Sequence, residues 1–186
     1  MRLFVAVEFP PLLKEELARW TAALVRHIPD PHKRLHWVKP DQFHLTLKFL
    51  GETPAERLYP LETELRRHAT LEKPFSIMFG KVGHFGGRVV WLGAQAGAAE
   101  AAALARRVDS ACQAVGWEAE KRSYQAHVTL ARAKTNPGNL RLMTLEQKLR
   151  EQTFGPLTVS EFVIYQSRLH PNGAIYEVIS RFPLKG

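Results

Sequence analysis

The opening of the chain is almost continuously apolar from Leu3 to Val7, and with Glu8 this run predicts a first strand. Two prolines follow. Pro11 at the start and apolar residues at Leu13, Leu17, Trp20, Leu24 and Ile28 predict a helix from about Pro11 to His27, whose stripe needs a sheet to cover. The segment Phe43 to Phe49 changes period. Phe43, Leu45, Leu47 and Phe49 alternate with His44, Thr46 and Lys48 before Gly51 ends the run, which predicts a half-buried strand with a polar working face.

Further along, Leu58, Leu61 and Leu65 predict a helix from Ala55 to about His68, followed by a strand over Phe75 to Val82. The turn Gly83-His84-Phe85-Gly86-Gly87 lacks the Gly-Lys-Ser/Thr ending of a nucleotide-binding P-loop and is expected to connect two lobes. The order then repeats: strand Val89 to Ala94, an alanine-rich helix from Ala98 to Val115, strand Ala126 to Leu130 with a second His and Thr, and a helix from Leu140 to Glu151. Strands over Leu157 to Ser167 and Ile175 to Phe182 close the chain, joined by the turn residues His170-Pro171-Asn172-Gly173. We therefore expect an α+β protein in which one domain, residues 1–186, has similar halves of approximately 1–86 and 87–186.

Composition narrows the chemistry. The 186 residues include 45% hydrophobic and 24% charged residues, which suits a globular chain, and no apolar run reaches the roughly 18 residues of a membrane span. The start is not that of a secretory signal. Cys112 is the only cysteine, so disulfides within the chain and cysteine-based zinc sites are excluded, and a reducing, cytoplasmic setting is expected. The formal charge of +8 favours a polyanionic partner such as nucleic acid. His27, His32 and His36 lie near one another in sequence but lack nearby ligands of other kinds, so no metal site is expected there.

The reactive residues sit in two short strings, His44-Leu45-Thr46-Leu47 and His127-Val128-Thr129-Leu130. On a strand, residues two apart share a face about 6.5–7 Å apart, so each string presents an imidazole and a hydroxyl to one ligand. A single His-x-Thr is ordinarily just solvated sheet surface. Two copies in comparable places in a repeated order suggest two imidazoles flanking one pocket, able to act as base and acid on opposite sides of a phosphorus, with the hydroxyls donating to its oxygens. Cations follow both strings, at Lys48 and Arg132.

These residues resemble the two-histidine (2H) phosphoesterases, most closely the RNA 2′,3′-cyclic phosphodiesterases once named 2′-5′ RNA ligases. The resemblance runs through Met1 to Val7, Trp37 to Pro40, Phe43 to Gly51, Val90 to Gly93, Arg122 to Arg132, and Tyr165 to Ser167 with Gly173 and Tyr176. One departure is Ala126, where many relatives have proline; it removes no reacting group. The resemblance implies a bilobal duplicated fold with two sheet-plus-helix lobes around a central cleft. It implies hydrolysis of RNA 2′,3′-cyclic phosphate ends to 2′-phosphates without metal or nucleotide cofactor, with His44 as proton donor and His127 as proton acceptor. Thr46, Thr129 and Arg132 would bind phosphate, and Lys48, Arg122, Tyr124 and Phe85 are candidates for contact with RNA. The expected partner is RNA with cyclic ends, tRNA fragments among the candidates, and the protein is expected to act as a monomer with no membrane association. The same acid and base would allow a minor, reversible 2′-5′ ligation. Two alternatives stay open from the residues alone: a 2H phosphodiesterase for a small cyclic phosphate, such as ADP-ribose 1″,2″-cyclic phosphate, and a non-catalytic RNA-binding protein.

Overall fold

The computed structural model describes residues 1–27, 35–86, 88–133, 152–170 and 173–186. The expected helix over residues 140–151, most of the loop carrying His32, and Pro171-Asn172 of the last turn lie outside them. Nine strands among the described residues form two sheets. The first has the order β3 (His44–Glu52), β1 (Arg2–Glu8), β8 (Glu161–Arg168), β9 (Ile175–Pro183). The second has the order β2 (Leu35–Trp37), β6 (His127–Ala133), β5 (Val89–Ala96), β4 (Phe75–Phe85), β7 (Phe154–Val159). All neighbouring strands are antiparallel.

Helix α1 (Pro11–His27) packs against β7, α2 (Leu58–Ala69) against β9 and α3, and α3 (Ala98–Ala114) against β3. The first two of these confirm the helical periodicity, with a 3-10 turn at Ala55–Arg57 preceding α2. The surroundings of β1 account for its lack of alternation. Leu3, Val5 and Val7 enter the main core, while Phe4 and Ala6 are buried on the other face beside Val163 and Tyr165. A strand covered on both faces has no polar side to show. No helix among the described residues is long and apolar enough to cross a membrane.

The sheets do not divide the chain at residue 86. Strands β2 and β4 of the first half join the sheet of the second motif, and β8 and β9 of the second half complete the sheet of the first. Two local features account for this. The glycine-rich turn closes a β4–β5 hairpin within one sheet, with the Arg88 amide donating to the Phe85 carbonyl at 2.9 Å, rather than connecting two lobes. The single strand expected over Leu157 to Ser167 is interrupted at Ser160, so that β7 and β8 belong to different sheets.

Candidate active site

Each histidine begins a strand and is held the same way. The Nδ1 of His44 lies 2.7 Å from the Gln42 carbonyl, and that of His127 lies 2.7 Å from the Gln125 carbonyl, in each case two residues upstream. A carbonyl can only accept, so Nδ1 carries the proton in both neutral rings and Nε2 is left as the reactive nitrogen. In the first motif the Thr46 hydroxyl donates to His44 Nε2 at 3.1 Å.

A β-bulge follows each motif at the same place. Val5 pairs with Lys48 and Ala6 with Thr46, so Leu47 is the extra residue on β3; Val90 pairs with Ala131 and Trp91 with Thr129, so Leu130 is the extra residue on β6. An added residue reverses the alternation beyond it. His44 and Thr46 therefore share their face with Phe49, not Lys48, and His127 and Thr129 share theirs with Arg132. Solvent exposure agrees: Phe49 is 68% exposed, whereas Lys48 is 6% exposed.

This corrects two expectations. Phe49 is not a core residue, and Lys48 is not the counterpart of Arg132. Lys48 points into the protein, where its ammonium pairs with Asp109 on α3 and donates to the Glu118 carbonyl at 2.9 Å. It is no free cation for RNA. Arg132 is exposed and acts electrostatically on His44, His127 and Tyr176, which lie on both sheets. The guanidinium thus stands in the field shared by the two motifs.

Aromatic side chains surround both imidazoles. Phe4, Tyr176 and Tyr165 have ring centroids 5.0, 5.3 and 6.1 Å from His44. Phe85 meets His127 edge-on at 4.9 Å, and Trp91 lies at 6.1 Å. The indole of Trp91 lies across two glycines, since a Cβ on Gly83 would stand 2.2 Å from it and one on Gly93 2.8 Å. The glycines thus make room for a flat aromatic wall beside the second histidine. Phe4, Tyr165, Tyr176 and Trp91 carried no assigned role in the sequence. They lie on four different strands, and only pairing brings them to the histidines.

Burial and charge both act on the imidazoles. Burial, helped by the charges of Arg132, Lys14 and His127 and opposed by the Gln42 carbonyl, lowers the His44 pKa to about 4. Burial also lowers that of His127, partly opposed by the Gln125 carbonyl, and Arg132 adds to the lowering. Both rings are neutral in the free protein near pH 7.

The remaining candidates are separated. The Tyr124 hydroxyl donates to the Thr46 carbonyl at 2.9 Å, so it ties the approach to β6 onto β3. Arg122 is exposed on the same approach, and Phe85, 39% exposed, borders the second histidine. Among the described residues no group of His, Cys, Asp and Glu is arranged to hold a metal.

Comparison with known proteins agrees with this geometry. A family model described as LigT like phosphoesterase matches residues 7–91, and one for the 2′-5′ RNA ligase superfamily matches residues 52–171. A Methanocaldococcus jannaschii protein named RNA 2′,3′-cyclic phosphodiesterase is 30% identical over 98% of this chain and 100% of its own length. The chain is a LigT-like phosphoesterase of the 2H superfamily. Family likeness extends to the whole fold. A solved Thermus thermophilus protein superposes with a TM-score of 0.77 at 30% identity, covering 100% of this chain and 99% of its own. Escherichia coli LigT, crystallised with 3′-AMP, gives 0.75 at 27% identity, covering 100% and 98%. In this LigT-like chain the two repeated strings lie on two different sheets and within electrostatic reach of each other.

Proposed function

We propose that this phosphoesterase opens 2′,3′-cyclic phosphates at RNA ends to leave a 2′-phosphate. One observation carries the proposal: two imidazoles, each with Nδ1 engaged by a carbonyl and Nε2 left reactive, share a site with Arg132. The full-length relatives that bear the name RNA 2′,3′-cyclic phosphodiesterase support the substrate class.

In this mechanism His127 Nε2 takes a proton from a water molecule as its oxygen bonds to phosphorus. The phosphorus–O3′ bond breaks, and His44 Nε2–H delivers a proton to the departing O3′. Thr46, Thr129 and Arg132 donate to the non-bridging oxygens as charge builds on them. Because burial keeps His44 neutral in the free protein, its proton must be loaded with the substrate: an anionic phosphate beside the ring raises its pKa. The nucleoside bearing O3′ lies on the His44 side, where Phe49 offers an exposed ring next to Phe4. A 5′-hydroxyl replacing water would give 2′-5′ ligation by the same acid and base. With no energy source, that outcome is minor in water.

The test is to incubate the protein with a panel of cyclic phosphates in EDTA and identify products by phosphorus NMR. RNA 2′,3′-cyclic ends should yield 2′-phosphates at an undiminished rate, because no step uses a metal. Production of 3′-phosphates, or turnover restored only by a divalent ion, would sink the mechanism. Exclusive turnover of ADP-ribose cyclic phosphate would move the substrate to a small molecule.

A further inference from the structure

A groove of about 450 Å³ lies between α3 and the approach to β6. Its apolar floor includes Leu47, Ala102 and Ala105, and its rim carries Arg106 on α3 together with Lys121 and Arg122 on the approach to β6. Arg106, Lys121 and Arg122 make no ion pair among the described residues. Of the carboxylates in its lining, Asp109 receives the Lys48 ammonium as well as Gln113 and the Glu120 amide, whereas Glu120 accepts the neutral Arg122 amide and keeps its charge. Four cations and two carboxylates line the groove; Lys48 and Asp109 cancel as a pair, and Arg106, Lys121 and Arg122 outnumber the Glu120 carboxylate, which leaves a net positive charge that a bound polyanion would offset.

The groove is joined to the catalytic residues by a single segment. Lys121 and Arg122 rim it, Tyr124 lines it while donating to the Thr46 carbonyl, and the Gln125 carbonyl holds His127. Five residues of extended chain span at most about 18 Å, so Arg122 stands within a few nucleotides of His127. The geometry points to this groove as the seat of the RNA strand upstream of the reacting end, with Arg106, Lys121 and Arg122 on its phosphates and the apolar floor under a base. This assignment rests on the RNA substrate proposed above. It keeps Arg122, leaves Lys48 paired with Asp109 in the groove wall, and adds Arg106, a residue remote in sequence from both motifs.

The experiment compares wild type with R106E/K121E, using an RNA oligonucleotide with a 2′,3′-cyclic end and the matching cyclic mononucleotide, at about 50 and 200 mM KCl. The oligonucleotide kcat/KM should fall about tenfold or more at the lower salt. Its log–log salt slope should flatten by about 1.4, the loss of roughly two phosphate contacts at 0.7 each. The mononucleotide kcat/KM should stay at the wild-type value. Equal losses on both substrates, or no loss on either, would overturn the groove assignment. R106Q/K121Q, which avoids charge reversal, serves in place of R106E/K121E if that variant fails to fold. Should wild type turn over neither substrate, the functional proposal fails separately. Anisotropy with an unmodified RNA oligonucleotide then decides the groove: weaker, less salt-dependent binding by the variant supports it, and unchanged binding rejects it.

Discussion

Replacing His44 or His127 by alanine is expected to lower kcat by about 10²–10⁴, the range for loss of a general acid or base. Each change removes an Nε2 held in place by a carbonyl two residues upstream. Thr46, Thr129 and Arg132, the proposed oxyanion donors, stay in place, so residual turnover should persist. Acid and base act in one displacement, and the double variant should lose less than the product of the single losses. His44 also packs against Phe4, Tyr165 and Tyr176, so His44→Ala needs a thermal melt to separate a lost proton donor from a disturbed lobe. A folded variant of either histidine with near wild-type turnover and the same product would remove that residue from the mechanism.

The second large effect is on stability. Lys48→Met should destabilise the fold by about 3 kcal/mol, the lower end expected for breaking a buried ion pair, because it strands the Asp109 carboxylate beneath β3. The side chain of Asp109 keeps 18% exposure and two other donors, which moderates the loss. K48M/D109L, which removes both charges, should recover much of the stability. Urea midpoints measure both. Turnover of the cyclic mononucleotide per folded molecule should be little changed in Lys48→Met. A Lys48→Met protein as stable as wild type would contradict the buried pairing of Lys48 and the bulge-based assignment of faces.

What the sequence showed and hid follows from how each signal arises. Alternation over Phe43 to Thr46 and the repeated His-x-Thr located both motifs, because side-chain direction on a strand is a local property. The bulges at Leu47 and Leu130 left no such mark, since an extra residue is defined only against the strand it faces, and Lys48 and Phe49 were consequently exchanged. Sheet membership was hidden for the same reason. Nothing around Gly86 or Ser160 states which edge the next strand will join, so the halves seemed consecutive where the sheets interleave. The cage of Phe4, Tyr165 and Tyr176 required the pairing of β1, β8 and β9, and the groove required α3 to lie beside residues 120–124.

The paired-histidine chemistry is tested most directly by the pH dependence of kcat/KM for a cyclic-ended RNA in EDTA, measured on wild type and on each histidine variant. Catalysis requires one ring protonated and one neutral, so the wild-type profile should be a bell whose apparent pKa values belong to the pair. Burial lowers both, so the optimum should lie on the acidic side of the ordinary imidazole value of 6.5, above the value of about 4 that burial gives His44. Rates should then fall as pH rises through the upper limb and the last catalytic proton is lost. In the complex the phosphate raises both values, and the kcat profile should shift to higher pH. With His44 as acid and His127 as base, His44→Ala should remove the alkaline limb and His127→Ala the acidic one. A profile with one ionisation, unchanged by either replacement or abolished by the chelator, would contradict two-histidine catalysis.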